Sequence, residues 1–228
     1  MIHLADSKFR ITIGGDNIQC RGVTEVLVVI DVLRASSTIV TALANGVKEV
    51  IPVNREEMAF ELRKKGYILA GEDKGVKLPD FDIGNSPVEL LEYIKLKQSE
   101  IEKIALKTTN STDLLTGIES ALICSSLNLA AVKHRLEEIG KDKSANLLAV
   151  GSRHGITEDL AVAMALYSSL NDGLEINRAY LKECISHSNT AKYISKIGYK
   201  EDVEFVSQID KYDVVPVLRE GVIRGNMR

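Results

Sequence analysis

An α/β fold in three layers, helices on both faces of a mostly parallel or mixed central sheet, is the architecture this sequence predicts. Three observations predict it. Apolar, β-branched runs recur along the chain, each followed within a few residues by a helix-forming stretch. The run Val26–Val32 (VLVVIDV) is nearly continuous rather than alternating, as in a strand buried on both faces. No stretch rich in Pro, Gly or Ser divides the 228 residues, so one α/β domain over residues 1–228 is expected.

The elements follow in order. After the strand Val26–Val32, Ser36–Asn45 predicts a helix closed by Gly46, and Val47–Val53 a second strand ending near Pro52. Arg55–Lys65 predicts a charged helix with Gly66 beyond its end, and Tyr67–Ala70 a short strand. Gly71–Pro87 reads as a long Gly/Asp-rich loop, of a length that tends to be functional. Beyond it come a helix (Val88–Leu96), a strand (Lys103–Lys107), a short helix near Thr112–Gly117 and the strand Ala121–Cys124. Leu127–Ile139 predicts a helix, Asn146–Val150 a strand, and Glu158–Leu170 a helix with Thr157 at its N-cap. One or two helices are expected between Glu175 and Ile197, then weak strands at Val203–Val206 and Val214–Leu218.

Composition excludes several classes. Hydrophobic residues are 45% and charged residues 27%, the balance of an ordinary globular protein. The longest apolar run, Leu160 to Tyr167, falls far short of the roughly 20 residues that span a bilayer. Met1–Arg10 has no basic segment leading into an apolar one, so no secretory signal is read and a cytoplasmic protein is expected. Cys20, Cys124 and Cys184 contain no CxxC pair, and His3, His134, His154 and His187 form no HExxH, which argues against thiolate or histidine metal sites. A net charge of -3, 5% aromatics and no Trp argue against nucleic acid as a partner. There is no GxxxxGK[ST], GxGxxG or GxSxG motif. A homodimer is compatible with this size, but no segment identifies an interface.

Ligands of open α/β sheets bind beyond the carboxyl ends of the strands. Four such ends are polar here: Asp31 to Thr38, Thr108 to Asp113, Ser125 to Asn128, and Gly151 to Asp159. Each runs from strand through a hydroxyl-rich turn into a helix, whose free N–H groups favour anions. Ser36, Ser37, Thr38, Asn85, Ser86, Thr108, Thr109, Asn110, Ser111 and Thr112 are the candidate anion-binding residues, with Arg34 and Arg153 as guanidinium partners and His154 as an anion contact or acid. The plainer alternative for Ser36, Thr112 and Thr157 is helix capping.

Asp31 ends an apolar run, where an ionised carboxylate is costly unless it is paired or bound to a metal. Ion pairing with Arg34 is the simplest way to satisfy it. Glu72 follows its strand in the same manner, while Glu158 and Asp159 fall in a helix's first turn, where acids also offset the dipole. Together Asp31, Glu72, Glu158 and Asp159 are the candidate ligands of a hard cation. Mg²⁺ suits this pattern, because it takes few carboxylates and keeps water and phosphate oxygens. That combination fits phosphoryl chemistry, with Asp31, Arg34 and Asp159 as its catalytic candidates.

At these positions the sequence resembles the 2-phosphosulfolactate phosphatase family of coenzyme M biosynthesis. The resemblance rests on Asp31-Val32-Leu33-Arg34-Ala35-Ser36-Ser37-Thr38, Gly71-Glu72, Phe81-Asp82-Ile83-Gly84-Asn85-Ser86-Pro87, Thr108-Thr109-Asn110-Ser111-Thr112, Ser126-Leu127-Asn128 and Glu158-Asp159. These blocks stand in family order and cover roughly Val26 to Ala163. The resemblance implies an α/β fold of the family's own type and Mg²⁺-dependent hydrolysis of 2-phospho-3-sulfolactate to 3-sulfolactate and phosphate. The partner it implies is a small anionic phosphorylated substrate. The family pattern carries Gly where Ser111 and Asp80 stand, and Ser111 is expected to narrow the room beside the Thr108–Thr112 backbone. Two other readings compete with this one: a phosphatase of the same type for another small phosphorylated acid, and a non-catalytic anion sensor.

Overall fold

The structure, a computed structural model, describes residues 8–14, 25–97, 101–139, 143–151 and 157–226. Arg153 and His154 lie outside the described residues. The strands, in chain order, are β1 (Phe9–Ile13), β2 (Glu25–Ile30), β3 (Glu49–Pro52), β4 (Ile68–Asp73), β5 (Val76–Lys77), β6 (Lys103–Lys107), β7 (Ser120–Cys124), β8 (Ser144–Ala149), β9 (Val215–Arg219) and β10 (Val222–Asn226). The helices are α1 (Ala35–Ala44), α2 (Glu56–Arg63), α3 (Pro87–Lys97), α4 (Ser111–Thr116), α5 (Leu129–Glu137), α6 (Glu158–Asn171), α7 (Arg178–Ser186), α8 (Asn189–Lys196) and α9 (Lys200–Val206), with a 3-10 turn at Ser126–Asn128.

The sheet order is β1-β8-β2-β7-β9-β10-β3-β6-β4-β5. Two parallel blocks, β1-β8-β2-β7 and β3-β6-β4, are joined through the antiparallel hairpin β9–β10. The fold is thus the expected α/β class with a mixed sheet. Alternation along β2 explains its layers: Val28 and Ile30 pack toward α5, α6 and α7, while Leu27 and Val29 pack toward Ile39 of α1, Leu90 of α3 and Leu115 of α4. The second block repeats the device, with Val50, Ile104 and Leu106 facing α1 and Ile51, Leu69 and Ala105 facing α2.

Both blocks therefore face α1, whose residues Ala35 to Ala42 are all buried. An antiparallel hairpin between two parallel blocks reverses strand direction, which on a flat sheet would send the ends of β2 and β6 to opposite edges. Five strand-to-strand steps separate them, and twist at roughly 20–25° per step turns the direction by on the order of 100°. The sheet curls round α1 and the two ends meet: the Ser111 hydroxyl, just past β6, donates to Asp31 Oδ2, just past β2.

Four differences from the sequence expectation have local causes. Val203–Val206 lies in α9, because Glu201 and Asp202 occupy a helical first turn and Val203 and Val206 fall on one buried face. The segment Gly71–Pro87 is partly regular: β4 continues to Asp73 and turns back into β5. Phe9–Ile13 and Val222–Asn226 are strands that the short, mixed patterns there did not announce. Asp80, where the family pattern carries Gly, has φ 60, the left-handed region that Gly tolerates best. Thr157 does hold the N-cap position of α6. Among the described residues, no helix is long and apolar enough to cross a membrane.

Gly71 allows β4 to lie against β6. A Cβ there would sit 2.7 Å from the Lys107 carbonyl oxygen and 2.9 Å from the Phe81 ring. The oxygen is backbone and cannot step aside, so Gly71→Ala is expected to cost about 1–3 kcal/mol. Thermal unfolding followed by circular dichroism should show a midpoint several degrees lower, and an unchanged midpoint would contradict this close approach.

Candidate active site

Where β2, β4 and β6 end, a cleft of about 160 Å³ opens. It is lined by Asp31 and Arg34 after β2, Glu72 and Lys74 at the end of β4, Asn85 ahead of α3, Thr108 to Asn110 after β6, and Thr190 and Tyr193 of α8. Two carboxylates thus face a polar loop across one small space. Both are held rigidly. Asp31 accepts from the Ala35 N–H (3.3 Å) and the Ser111 hydroxyl. Glu72 accepts from the Thr109 N–H (2.7 Å) and hydroxyl (2.8 Å) and from the Gly75 N–H (2.5 Å).

Glu158 and Asp159 stand behind Asp31 at the start of α6. Asp159 spans two strand ends, accepting from the Val32 N–H at 2.7 Å and the Gly151 N–H at 2.8 Å. A Cβ at Gly151 would lie 2.8 Å from Asp159 Oδ2, so this brace requires Gly. Burial raises the Asp159 carboxyl well above the ordinary range, and repulsion from Glu158 and Asp31 adds to the rise. Burial likewise raises Asp31, against the pull of the Ser111 hydroxyl and the Ala35 N–H, with Glu72 adding repulsion. Glu158 is also raised by burial, opposed by its own N–H and the hydroxyls of Thr190 and Ser188. Asp31, Glu72, Glu158 and Asp159 therefore share one electrostatic neighbourhood.

Arg34 makes no direct ion pair with Asp31, although its charge helps to lower the Asp31 carboxyl. Its Nη1 donates to Asp202 of α9 at 3.0 Å, with both side chains about 1% exposed, and its Nη2 donates to the Gly75 carbonyl at 2.7 Å. The guanidinium carbon lies 4.2 Å from the centre of the Tyr199 ring, and the Leu33–Arg34 peptide bond is cis. Asp202 also accepts from the Ser86 hydroxyl (2.6 Å) and the Val88 N–H (3.3 Å). It ties α1, α3 and α9 into one corner.

Several hydroxyls named from the sequence have protein partners and do not line the cleft. Ser36 accepts from the Asp31 N–H (3.0 Å), Ser37 donates to the Val32 carbonyl (2.7 Å), and Thr112 donates to the Thr108 carbonyl (2.8 Å). Thr38 is buried within α1, its Oγ1 without a partner among the described residues. Ser111 turns toward Asp31 rather than into the space beside the Thr108–Thr112 backbone. Conversely, Lys74, Thr190, Tyr193, Tyr199 and Asp202 went unnamed. Asp202 reads in sequence as an ordinary helix-start acid, and Lys74 sits inside an apparent loop.

The hairpin turn Lys74-Gly75 forms one wall. Both residues have positive φ, 48 and 83, the type I′ arrangement for which Asn-Gly is the usual choice. A lysine in that position costs on the order of 1 kcal/mol. All four backbone groups of the turn are anchored. The Lys74 N–H donates to Thr109 Oγ1 (2.8 Å) and its carbonyl accepts from the Tyr193 hydroxyl (2.8 Å), while Gly75 bonds Glu72 and Arg34.

Among the described residues, no three His, Cys, Asp or Glu side chains form a group that could hold a metal ion by themselves. Mg²⁺ asks for less, one or two carboxylates with water and substrate oxygens completing its shell. Asp31 and Glu72 supply two, and Asn85 Oδ1, buried and without a partner among the described residues, is a neutral oxygen of the right kind on the same cleft. The donor set fits a hard cation of that partly hydrated sort.

The chain matches the 2-phosphosulpholactate phosphatase family over residues 15–221. It belongs to that family. A Thermotoga petrophila protein named "Probable 2-phosphosulfolactate phosphatase" is 39% identical over 221 residues, covering 90% of this chain and 92% of its own. The 2-phosphosulfolactate phosphatase of Methanothermobacter thermautotrophicus is 32% identical over 206 residues, covering 86% and 88%. A relative from Clostridium beijerinckii, again named "Probable 2-phosphosulfolactate phosphatase", is 31% identical over 246 residues, covering 95% and 98%. Membership in the 2-phosphosulfolactate phosphatase family extends over the C-terminal helices, so Asp202 and Tyr199 lie within the shared fold.

Removing Asp202 would leave the Arg34 cation buried without a counter-charge. Asp202→Ala is expected to destabilise the protein by about 3–5 kcal/mol. Urea unfolding would register this as a lower midpoint, and a loss below about 1 kcal/mol would mean that the corner is held by packing instead.

Proposed function

We propose that this chain is a Mg²⁺-dependent phosphomonoesterase that converts 2-phospho-3-sulfolactate to 3-sulfolactate and phosphate in the cytoplasm. Family membership supports the reaction, and one observation of geometry carries the site. The carboxylates of Asp31 and Glu72 face the Thr108–Asn110 loop across a single cleft sized for a small molecule. Free thiols at Cys124 and Cys184 accord with a reducing compartment.

In this reading Asp31, Glu72 and Asn85 hold the ion. When bound, Mg²⁺ supplies positive charge to the phosphoryl oxygens and so offsets the charge that builds in the transition state. Water attacks phosphorus, the bond to the lactate oxygen breaks with its electron pair on that oxygen, and the leaving oxygen takes a proton from solvent water. Asp31 takes the proton of the attacking water, its carboxylate fixed in orientation by Ala35 and Ser111. The Asn110 side chain and the Thr190 hydroxyl, both on the cleft, contact the substrate's oxygens. Arg34 works indirectly, keeping the β2–α1 corner and the β4–β5 turn in register.

Asp31→Asn should reduce phosphate release by about 10²–10⁴-fold while the fold survives. The check is an assay of free phosphate from 2-phospho-3-sulfolactate with Mg²⁺, beside a melting curve. A variant as active as the parent would remove Asp31 from the chemistry. Tight binding without any release by the parent protein would favour an anion-binding domain over an enzyme.

The raised carboxyls give a second test. Where native values exceed unfolded ones, the native state binds more protons, so stability is highest below the unfolded values and declines as pH rises through the native ones. For Asp31, Glu158 and Asp159 the decline begins in the ordinary carboxylate range and runs upward. The metal-free protein should therefore melt at a lower temperature at pH 8 than at pH 5, and Glu158→Gln should flatten that slope. Mg²⁺ should raise the midpoint more at pH 8 than at pH 5. No shift with Mg²⁺ at pH 8 would take the ion out of the site.

A further inference from the structure

The proposed substrate carries three anionic groups, and Arg34, the obvious cation, has little left to offer them. Its guanidinium is committed to Asp202, the Gly75 carbonyl and the Tyr199 face, with about 1% of the side chain exposed. Among the described residues, the other cationic side chain on the cleft is Lys74. Its ammonium has no ion pair or hydrogen bond among the described residues, and the side chain is exposed at the cleft's rim.

We infer that Lys74 is the specificity-determining residue of the site, the one that binds the substrate's sulfonate. This inference rests on the phosphatase reading above and assigns a group to that reading's substrate. Two lines of observation support it. The first is charge placement: Asp31 and Glu72 make the inner part of the cleft acidic, so an anionic group not neutralised by the metal is repelled toward the rim, where Lys74 stands. The second is conformation. Lysine occupies a left-handed turn position better suited to Asn or Gly, and the turn is fixed by Thr109, Tyr193, Glu72 and Arg34, all lining the same cleft. Strain held in place from every side at a ligand-sized opening points to a use for the side chain that is strained.

The test compares 2-phospho-3-sulfolactate with 2-phospholactate, which lacks the sulfonate, each with Mg²⁺. Lys74→Asn removes the charge while suiting the turn. It should raise KM for the sulfonated substrate on the order of 10–100-fold, leave kcat within about twofold, and leave both constants for 2-phospholactate nearly unchanged. Its melting midpoint should equal or exceed that of the parent, which separates lost charge from a damaged turn. Lys74→Arg should recover most of the KM. An equal rise in KM for both substrates would assign Lys74 to the phosphate or the carboxylate, which both carry, and overturn the inference, as would no change for either. Should the parent protein hydrolyse neither substrate, the phosphatase reading fails. Calorimetric titration with 3-sulfolactate and with lactate then judges Lys74 alone: a loss of affinity by Lys74→Asn for 3-sulfolactate only upholds the inference, and no loss, or an equal loss for both, overturns it.

Discussion

A guanidinium with about 1% of its side chain exposed has lost nearly all its hydration, and something inside the protein must replace it. For Arg34 the replacements come from three places: Asp202 of α9, the Gly75 carbonyl at the β4–β5 turn, and the face of Tyr199. Arg34 and Asp202 are 168 positions apart in the chain. Asp202 in turn satisfies the Ser86 hydroxyl and the Val88 N–H ahead of and within α3. One buried charge pair thus fixes four segments against one another, and the cleft is the space they leave between them.

The acids create the opposite demand. Asp31, Glu158 and Asp159 are buried close together, and each is raised chiefly by the loss of water. Part of the cost is met by backbone N–H groups at strand ends, from Val32 and Gly151 to Asp159 and from Ala35 to Asp31. What remains is a local excess of negative charge for which the described residues hold no full compensation, beside an unpartnered Glu158 Oε2 and Asn85 Oδ1. A corner arranged in this way is costly as pure structure and sensible as a receptor for a cation and the oxyanion it accompanies.

Much of this was legible in the sequence, for definable reasons. Asp31 announced itself because a carboxylate at the end of a β-branched run has few cheap explanations, and Glu72 repeated the pattern. The alternation of apolar runs with helical stretches gave the fold class, and the motif blocks gave the family. What escaped were features that depend on long-range geometry. Asp202 looks like any acid in a helix's first turn until Arg34 arrives from the far end of the chain. The stretch Val203–Val206 has the composition of a strand; the acidic first turn at Glu201 and Asp202 starts a helix there, and burial of Val203 and Val206 on one face completes it. The turn Lys74-Gly75 was hidden because β5 is two residues long, too short for any periodicity. The anion role read into Ser36, Ser37 and Thr112 ran into a general difficulty: a hydroxyl at a strand end serves the backbone as readily as a ligand, and sequence does not tell which.

The hairpin β9–β10 lies at the middle of the sheet although it follows every other strand in chain order. The two parallel blocks share no strand-to-strand hydrogen bonds, and only the hairpin between them joins them into one sheet. Assembly of the centre therefore waits for the segment translated after both flanks, a topology of high contact order in which two partial sheets must persist with open inner edges. During synthesis those edges are the hazard, since each offers unpaired backbone to a neighbouring chain. Among the described strands, the last translated pair covers both inner edges and joins two vulnerable halves into one sheet.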